Sequence, residues 1–415
     1  MNNLLKQALK GIKPTKVEER QLLKIANLII KKIKIKNAKP VLGGSLAKGT
    51  WLKNSHDIDI YVKFRKQFYA NKNISEILYT HLKTLFKNVE VLHGSRDYFH
   101  VKHGKFVIEI VPIIDIKKAE DALNITDVSP LHVKWVQRHK HKVDEIRLVK
   151  AFCKANRVYG AESYIKGFSG YVLEIMTISY GSFLGLIESV AKWNIHGKMI
   201  IDVEDYYKGK NIMQELNVSK LYSPLIVIDP VQANRNAAAG LGLECYKKLI
   251  NLALKFLAKP SLTFFKQKRI TLPSLKKQAK NNQLVVIEAL PLKGKKDIIG
   301  AKLLKCFEYL KKQLILNNFY LLDSGWEFNR KALFWFILKN EILPAYKKHY
   351  GPPYINKKAV NSFKKKWHNK DIEIEKGRLF VMLKRRFRKP EQLIKSLLKS
   401  DYVKSRIDKV FLKVC

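Results

Sequence analysis

The stretch that decides the fold is GGSLAKGTWLKNSHDIDIYV, which runs from Gly43 to Val62. It opens with a Gly-Gly-Ser turn and ends, from Asp57 onward, in alternating acidic and apolar residues. Such alternation predicts a strand with one wet face and one buried face. Because side chains two residues apart on a strand project from the same face, Asp57 and Asp59 form a candidate pair of carboxylates.

A third carboxylate is available on a later apolar run. Glu109 lies in FVIEIV, residues 106–111, which predicts another strand, closed by Pro112. Asp115 is the alternative, but it lies beyond the proline and about 20 Å further along an extended strand. We therefore prefer Glu109 as the third carboxylate.

Three neighbouring carboxylates indicate a metal site. They repel one another unless cations lie between them, and hard oxygen ligands suit Mg²⁺, which also binds nucleotide phosphates. Two such ions would activate an attacking hydroxyl and neutralise a leaving pyrophosphate. We expect Asp57, Asp59 and Glu109 to hold two Mg²⁺ ions.

The turn before the acidic strand suits phosphate. Gly43, Gly44 and Ser45 precede a short helix-like run over residues 46–51. A glycine-rich turn at the start of a helix offers free N–H groups to phosphate oxygens. The Ser45 hydroxyl and the Lys48 ammonium would add contacts there.

The remaining pattern predicts three regions of different character. The first 120 residues or so form a mixed α/β unit, with helices over 17–36 and 75–86 and strands over 57–62, 89–92 and 106–111. The middle region is mainly helical, with helices over 144–156, 169–193 and 234–257 and a short strand over 226–228.

The C-terminal region predicts an antiparallel sheet backed by a helix. Its order is a strand over 284–290, a helix over 299–316, and strands over 319–328 and 332–338, which is the layout of RNA-recognition folds. Beyond it we expect a turn at Gly351-Pro352-Pro353, a basic helix over 360–367, a strand over 379–383 and a last helix over 390–399.

The charge of the chain points to a polyanionic partner. Its 415 residues carry 80 Lys and Arg against 35 Asp and Glu, a net charge of +45, while 47% of the residues are hydrophobic, which excludes a disordered chain. Such an excess raises self-repulsion that a polyanion would relieve. Nucleic acid is the first candidate and an anionic membrane surface the second.

The cysteines and the apolar stretches bear on the compartment. Cys153, Cys245, Cys306 and Cys415 are far apart, which argues against a disulfide framework or a zinc site and fits a reducing compartment. The N-terminus lacks the apolar run of a secretory signal. The most apolar stretch, residues 170–190, is interrupted by two glutamates and predicts a buried helix rather than a membrane span. We expect a cytoplasmic protein without a membrane partner.

The residues from Gly43 to Val62 resemble the catalytic motif of nucleotidyltransferases of the DNA polymerase β superfamily. In detail, the chain resembles the archaeal, class I CCA-adding enzymes, which are CCA tRNA nucleotidyltransferases. The resemblance continues in order through SPLHVKWV (129–136), DEIRLVKAFCKANRVYGAE (144–162), GFSGY (167–171), GSF (181–183), DPVQANRN (229–236) and PSLTFF (260–265).

The resemblance implies a multidomain α+β architecture. A polymerase-β-like nucleotidyltransferase palm would occupy residues 1–130 and a helical, nucleotide-binding central domain residues 131–258. A C-terminal α+β, RNA-recognition-like body with a basic tail would occupy residues 259–415 and bind tRNA.

The resemblance also implies roles for individual residues. Asp57, Asp59 and Glu109 would hold the metals, and Arg235 would read the Watson–Crick edge of the incoming base. The residues that would face the nucleotide are Ser45, Lys48, His132, Lys150 and Tyr159. Glu109 departs from the family pattern, which typically has the shorter Asp there, and Ser129 stands where Thr is usual.

Each of these residues also has an ordinary structural explanation. His132 could cap a helix or lie hydrogen-bonded in a core, and Tyr159 could serve packing. Lys150 could be one more surface lysine in a lysine-rich chain. Arg235 could cap a nearby helix or pair with Asp229.

The function that follows is the addition of C, C and A to the 3′ end of tRNA from CTP and ATP, without a nucleic-acid template. The basic C-terminal half would grip the acceptor and TΨC arms, and related enzymes are often homodimers. Two alternatives stay open: a poly(A) polymerase-like or oligoadenylate synthase-like enzyme, and a non-catalytic RNA-binding protein with the same fold.

Overall fold

The computed structural model describes residues 1–55, 57–267 and 269–415. The chain divides into two compact units, Met1–Lys268 and Arg269–Cys415. Within the first unit, one hydrophobic core lies at the N-terminal sheet and another among the helices of the middle region. The domain boundaries after residues 130 and 258 stay predictions.

The N-terminal sheet is built around the predicted acidic strand. Its strands are β1 (Ala38–Leu42), β2 (Asp57–Arg65), β3 (Val89–Leu92), β4 (Tyr98–His103) and β5 (Phe106–Asp115). Their order is β1-β2-β5-β4-β3; β2 and β5 run parallel, and the other neighbours are antiparallel. The side chains of Ile58, Ile60, Val62 and Phe64 are fully buried, which confirms the predicted alternation along β2.

Four helices pack against this sheet: α2 (Lys16–Lys32), α3 (Gly44–Lys48), α4 (Lys66–Tyr69) and α5 (Ile74–Leu85). The first helix, α1 (Asn2–Ile12), instead packs on the hydrophobic core of the middle region. A capping box between Thr15 and Glu18 begins α2, and the Asn73 side chain caps α5. The short α3 begins within the Gly-Gly turn, with Gly43 as its N-cap, and precedes the acidic strand in the chain.

The middle region of the first unit is mainly helical. Its helices are α6 (Ser129–Arg138), α7 (Val143–Ala155), α8 (Gly170–Ser179), α9 (Phe183–Ala191), α10 (Ile212–Glu215) and α11 (Leu243–Ala258). A small sheet in the order β6-β7-β8 consists of β6 (Met199–Ile201), β7 (Leu225–Asp229) and β8 (Gln232–Asn236). Short 3₁₀ turns occupy Ala119–Asp121, Ile125–Val128, Lys140–Lys142, Val218–Leu221 and Leu262–Phe265.

The prediction of one helix over 169–193 was wrong. It is two helices, α8 and α9, which meet at 93°. Gly181 adopts a φ of +78°, which ends the first helix, and the Ser182 side chain accepts a hydrogen bond from Gly185 to begin the second. Among the described residues no single helix is long and apolar enough to span a membrane, although this bent pair would pass by length and composition.

The predicted helix over 234–257 was wrong in its first part. Residues up to Asn236 belong to β8, and the helix begins only at Leu243. The Asn236 side chain accepts hydrogen bonds from the backbone of Val227 and Ala238, which favours a turn over a helix. Arg235 therefore lies on a strand and caps no helix.

Two predictions that rest on prolines were wrong. Pro112 lies inside β5, opposite Val62 of β2, and the pairing of β5 with β4 has already ended at Ile110. The missing N–H of the proline therefore costs no ladder bond on that side. The predicted turn at Gly351-Pro352-Pro353 is instead the end of an edge strand, with a register shift that accommodates the prolines.

The second unit contains two sheets. The strands are β9 (Gln283–Pro291), β10 (Leu321–Phe328), β11 (Ala332–Leu338), β12 (Tyr346–Pro353), β13 (Ile372–Glu375), β14 (Arg378–Lys384) and β15 (Ile407–Val414). The helices are α12 (Leu272–Ala279), α13 (Lys296–Leu316), α14 (Lys357–Lys366), α15 (Pro390–Leu398) and α16 (Asp401–Lys404). The predicted antiparallel sheet backed by a helix is confirmed, in the order β10-β11-β9-β15 with α13 packed on it. The other sheet has the order β12-β14-β13.

Candidate active site

The three predicted carboxylates lie on adjacent strands. The parallel register of β2 and β5 pairs Asp57 with Val107 and Asp59 with Glu109. Because Asp57 and Asp59 are two residues apart, and Glu109 lies directly beside Asp59, all three residues belong to one face of the sheet. The alternative, Asp115, pairs with Arg65 and forms an ion pair with Lys63 at 2.6 Å, near the other end of the strands.

The Gly-Gly turn closes over Asp59. The Gly43 N–H donates a hydrogen bond to the Asp59 carbonyl oxygen at 2.8 Å, and the Ser45 backbone amide donates to the Asp59 carboxylate. Gly44 has a φ of +56°, and a Cβ placed on it would overlap the Asp59 carboxylate. The turn therefore needs glycine at this position to let the backbone approach the acidic strand.

The negative charges of the three carboxylates repel one another. Burial, together with the charges of Glu109 and Asp57, raises the pKa of Asp59 to about 7, while Lys48 opposes the shift. The Glu109 carboxylate accepts a hydrogen bond from His100 Nε2 at 3.1 Å. A divalent cation would remove the repulsion, and carboxylate oxygens are its preferred ligands.

The cluster suits a metal ion by its donor atoms and its charge. Among the described residues, no three His, Cys, Asp or Glu side chains are already grouped as a metal site. The hydrogen bond to His100 directs Glu109 at the histidine. Ligation by Glu109 would therefore require its side chain to turn from His100, a movement that the extra methylene of Glu allows.

Lys48 and Lys150 meet at one buried carboxylate that the sequence analysis did not select. Glu174, on α8, accepts a hydrogen bond from Lys48 Nζ at 2.8 Å and from Lys150 Nζ at 2.7 Å. The Thr50 hydroxyl donates to the same carboxylate at 2.7 Å and accepts from Lys150 at 2.9 Å. Lys150 is only 3% exposed, so its interpretation as a surface lysine was wrong.

The ionisation of this group depends on the pairing. Burial acts to raise the pKa of Glu174, but the two ammonium groups outweigh it and hold the pKa at about 2. Burial lowers the pKa of Lys150, and Glu174 opposes that shift. A buried carboxylate between two lysines is therefore ionised at neutral pH.

Tyr159 lies beside this group. A Cβ on Gly170 would come within 2.8 Å of the Tyr159 hydroxyl and within 3.7 Å of Lys150 Nζ, so the two side chains share the space that this glycine leaves. Lys154 Nζ lies 4.7 Å from the centroid of the Tyr159 ring. Burial raises the pKa of the tyrosine hydroxyl, which stays protonated and can donate a hydrogen bond.

A second buried carboxylate holds His132 and Arg235. Asp229 is fully buried at the end of β7 and accepts a hydrogen bond from His132 Nε2 at 3.0 Å and from the Tyr171 hydroxyl at 3.0 Å. The Arg235 guanidinium forms an ion pair with the same carboxylate. Pairing of Arg235 with Asp229 was one of the alternatives that the sequence left open.

The ionisation states in this second group follow from burial. Burial lowers the pKa of His132, although its hydrogen bond to Asp229 opposes the shift, so the imidazole is neutral at pH 7. Since Nε2 donates to the carboxylate, Nδ1 is an acceptor in the neutral ring. The Arg235 side chain keeps 30% of its surface exposed.

Tyr171 connects the two groups. Its ring stacks on His132 with centroids 4.1 Å apart, and Lys48 Nζ lies 5.0 Å from the ring centroid. Lys48 in turn lies close enough to Asp59 to oppose the rise in the pKa of that carboxyl group. The structure therefore brings Ser45, Lys48, His132, Lys150, Tyr159 and Arg235 into one connected neighbourhood around Asp59 and the two buried carboxylates.

Sequence reasoning missed Glu174, Tyr171 and Thr50. Glu174 offered a signal, because a charge in an otherwise apolar helix must find a partner in the core. Asp229 offered one too, since it follows a short buried strand and precedes a proline. Thr50 and Tyr171 lie in segments that resemble the family, but their contacts could not be predicted because they join segments far apart in the chain.

Models of known protein families match the chain in the same order as the three regions predicted from the sequence. Three family models match: a nucleotidyltransferase domain over residues 23–132, the second domain of tRNA nucleotidyltransferase over 144–266, and the C-terminal domain of the CCA-adding enzyme over 290–407. A solved structure of the Cid1 poly(U) polymerase with Mg and 3′-dATP bound has a TM-score of 0.51 and 15% identity, and covers 64% of this chain and 98% of that chain. At that identity the likeness concerns the fold alone.

Curated relatives extend the match to nearly the whole chain. The CCA-adding enzyme of Methanocaldococcus jannaschii is 30% identical over 97% of this chain and 91% of its own length. The CCA-adding enzyme of Nanoarchaeum equitans is 35% identical over 83% of this chain and 84% of its own length. With the nucleotidyltransferase and CCA-adding domains matched in order, the chain belongs to the family of CCA-adding enzymes.

Proposed function

We propose that this protein adds C, C and A to the 3′ end of tRNA, using CTP and ATP and no nucleic-acid template. The observation that carries the proposal is the register that sets Asp59 beside Glu109, with Asp57 on the same face, in a chain of the CCA-adding family. A 3′ hydroxyl of the RNA would attack the α-phosphate of the nucleotide, and pyrophosphate would leave.

Asp57, Asp59 and Glu109 would hold two Mg²⁺ ions. The ions would supply charge neutralisation and activation of the hydroxyl when bound. The contribution of the chain is to gather three carboxylates on one sheet face and to fix Asp59 with the Gly-Gly turn. The raised pKa of Asp59 supports a cation there, because the cluster is unfavourable without one.

Lys48 and Lys150 would meet the phosphates of the nucleotide. Each ammonium has three donors, and Lys150 uses two of them for Thr50 and Glu174. Ser45 would add its hydroxyl from the turn, and the protonated Tyr159 hydroxyl would donate a further hydrogen bond. Such fixed donors contribute by orienting the nucleotide before reaction.

Arg235 would read the base, assisted by His132. The planar guanidinium matches acceptors that both cytosine and adenine present at ring nitrogens, and Asp229 fixes its orientation. Nδ1 of the neutral His132 ring would accept a hydrogen bond from an amino group or a ribose hydroxyl. The Asp229 carboxylate would thus fix both Arg235 and His132 in position for the base.

The second unit would bind the acceptor and TΨC arms of tRNA through phosphate contacts. Its basic helix α14 ends in Lys364, Lys365 and Lys366, and lysines of this kind bind phosphate independently of sequence. The family resemblance also implies a homodimer, which sedimentation of the purified protein would test.

A labelled-nucleotide assay separates this function from its alternatives. Transcripts of tRNA lacking CCA are incubated with CTP alone, ATP alone and both, with and without Mg²⁺. The proposal expects incorporation of C from CTP alone and of A only after C. A long A tract from ATP alone would favour the poly(A) polymerase-like alternative, and no incorporation would favour the RNA-binding alternative.

A further inference from the structure

The Glu174 carboxylate is a junction between segments that are distant in sequence. It is 1% exposed and lies on α8 among apolar neighbours. Lys48 reaches it from the end of α3, Thr50 from the segment that follows α3, and Lys150 from α7. One side chain therefore connects α3 and the residues just after it to two helices of the middle region, α7 and α8.

Stability alone does not account for such a group. Replacing a buried ion triad by well-packed apolar residues is often neutral or stabilising, because desolvation of the charges offsets their attraction. Hydrogen bonds between ionised groups are short and directional, and those from Lys48 and Lys150 to Glu174 are 2.8 and 2.7 Å long. What this arrangement supplies is a fixed position for two ammonium groups.

We propose that Glu174 is a positioning residue that holds Lys48 and Lys150 where they meet the triphosphate of the incoming nucleotide. The inference rests on the function proposed above. Glu174 itself faces the lysines, and its contact with substrate runs through them. The Lys48 side chain, at 10% exposure, is the more open of the two ammonium groups.

The negative charge of Glu174 matters as well as its shape. Burial lowers the pKa of Lys150, and the carboxylate counteracts that shift. With a neutral amide at position 174, the buried ammonium would lose its counter-charge and Lys48 its anchor. Both effects would weaken the contact of the lysines with the triphosphate, whereas the second unit would bind tRNA as before.

The first test is Glu174→Gln, with Glu188→Gln as the matched control. Glu188 is exposed on the neighbouring helix α9. Glu174→Gln is expected to raise the KM for CTP about tenfold, as for loss of one hydrogen bond to a charged group, with the KM for tRNA changed less than about twofold. The KM for CTP of Glu174→Asp, which keeps the charge, is expected to lie between those of Glu174→Gln and Glu188→Gln. A folded Glu174→Gln protein with the CTP KM of Glu188→Gln overturns the proposal.

A second pair of variants covers the case in which Glu174→Gln fails to fold. Lys150→Met leaves the Lys48–Glu174 ion pair in place, while Lys150→Met combined with Glu174→Met replaces a buried pair by apolar side chains that a core tolerates. If Glu174 positions Lys48, the double variant has a CTP KM about tenfold above that of Lys150→Met. Equal values would mean that Glu174 is a structural counter-ion only.

Different results would contradict the proposed function and the positioning role of Glu174. Absence of CTP incorporation by the unaltered protein contradicts the proposed function. Normal incorporation by the unaltered protein, together with an unchanged CTP KM in folded Glu174 variants, contradicts only the positioning role.

Discussion

Gly44 lies against the Asp59 carboxylate so closely that no other residue fits there. Its φ is +56°, and a Cβ would overlap Oδ2 of Asp59. The contact joins the turn to the acidic strand and sets where the carboxylate points. A side chain at position 44 would therefore displace Asp59 or the turn.

Gly44→Ala is therefore expected to reduce nucleotide addition by at least about 100-fold, because Asp59 must move by more than the roughly 1 Å that costs this much. Gly104→Ala is the matched control, since Gly104 has a φ of +59° but open space around its Cβ position. That control bears only the backbone strain of about 1–2 kcal/mol. Equal activity of the two variants, measured with CTP incorporation, would contradict the role of the contact.

Metal binding is expected to depend on Glu109 and not on Asp115. Saturating Mg²⁺ should raise the melting temperature of the unaltered protein, because a ligand that binds only the folded state stabilises it. Glu109→Gln should shrink that increment, while Asp115→Asn should keep it, since Asp115 pairs with Lys63. Thermal melts with and without Mg²⁺ measure the increments without any activity assay. Loss of the increment in Asp115→Asn would assign the third ligand to Asp115.

His132 gives stability a dependence on pH near neutrality. Burial lowers its pKa in the folded protein, so the unfolded chain binds more protons below a pH of about 6.5. The free energy of unfolding should therefore fall as the pH drops below 6.5. In His132→Gln the free energy of unfolding should depend less on pH below 6.5. His141→Gln, a change at an exposed position, should keep the full dependence. Denaturant titrations at pH 5, 6, 7 and 8 compare the slopes.

The basic run from Lys384 to Lys389 should divide into structural and RNA-binding residues. Arg385 donates hydrogen bonds to Asn317 and Asn318, whereas Arg386 is exposed beside the Phe387 ring. Arg386→Gln should weaken tRNA binding and lower the salt slope of log Kd by about 0.9, the effect of one phosphate contact.

Arg385→Gln is the companion variant and should mainly lower the melting temperature, because it loses hydrogen bonds to the protein. Titrations of tRNA at several salt concentrations measure the slopes, and thermal melts measure the stability. A larger change in salt slope for Arg385→Gln than for Arg386→Gln would reverse the assignment.

Local patterns predicted the parts of the site that a strand or a turn determines. The alternation from Asp57 to Val62 gave the strand, the spacing gave the carboxylate pair, and the β5 register places Glu109 beside them. The helices that were wrongly predicted also have local causes. Gly181 and Ser182 break what periodicity presents as one helix, and Asn236 turns a predicted helix into a strand and turn.

Partner choice could not be predicted in the same way. Lys150 looked like any of the chain's many lysines until α7 and α8 packed and brought Glu174 to it. The same holds for His132, whose acceptor, Asp229, lies 97 residues further along the chain. The pairing of Arg235 with Asp229, only six residues apart, was among the alternatives that the sequence offered. Contacts of this kind depend on tertiary packing, which a single sequence does not show.

The most direct test of the central claim is the sequence of the product. Transcripts of tRNA that end before C, after C and after CC are incubated with CTP and ATP, and their 3′ ends are sequenced, with Asp57→Ala as the inactive control. The account predicts that every transcript is completed to CCA and then stops, and that Asp57→Ala adds nothing. Tracts of A or U, or products that continue past the A, would contradict it.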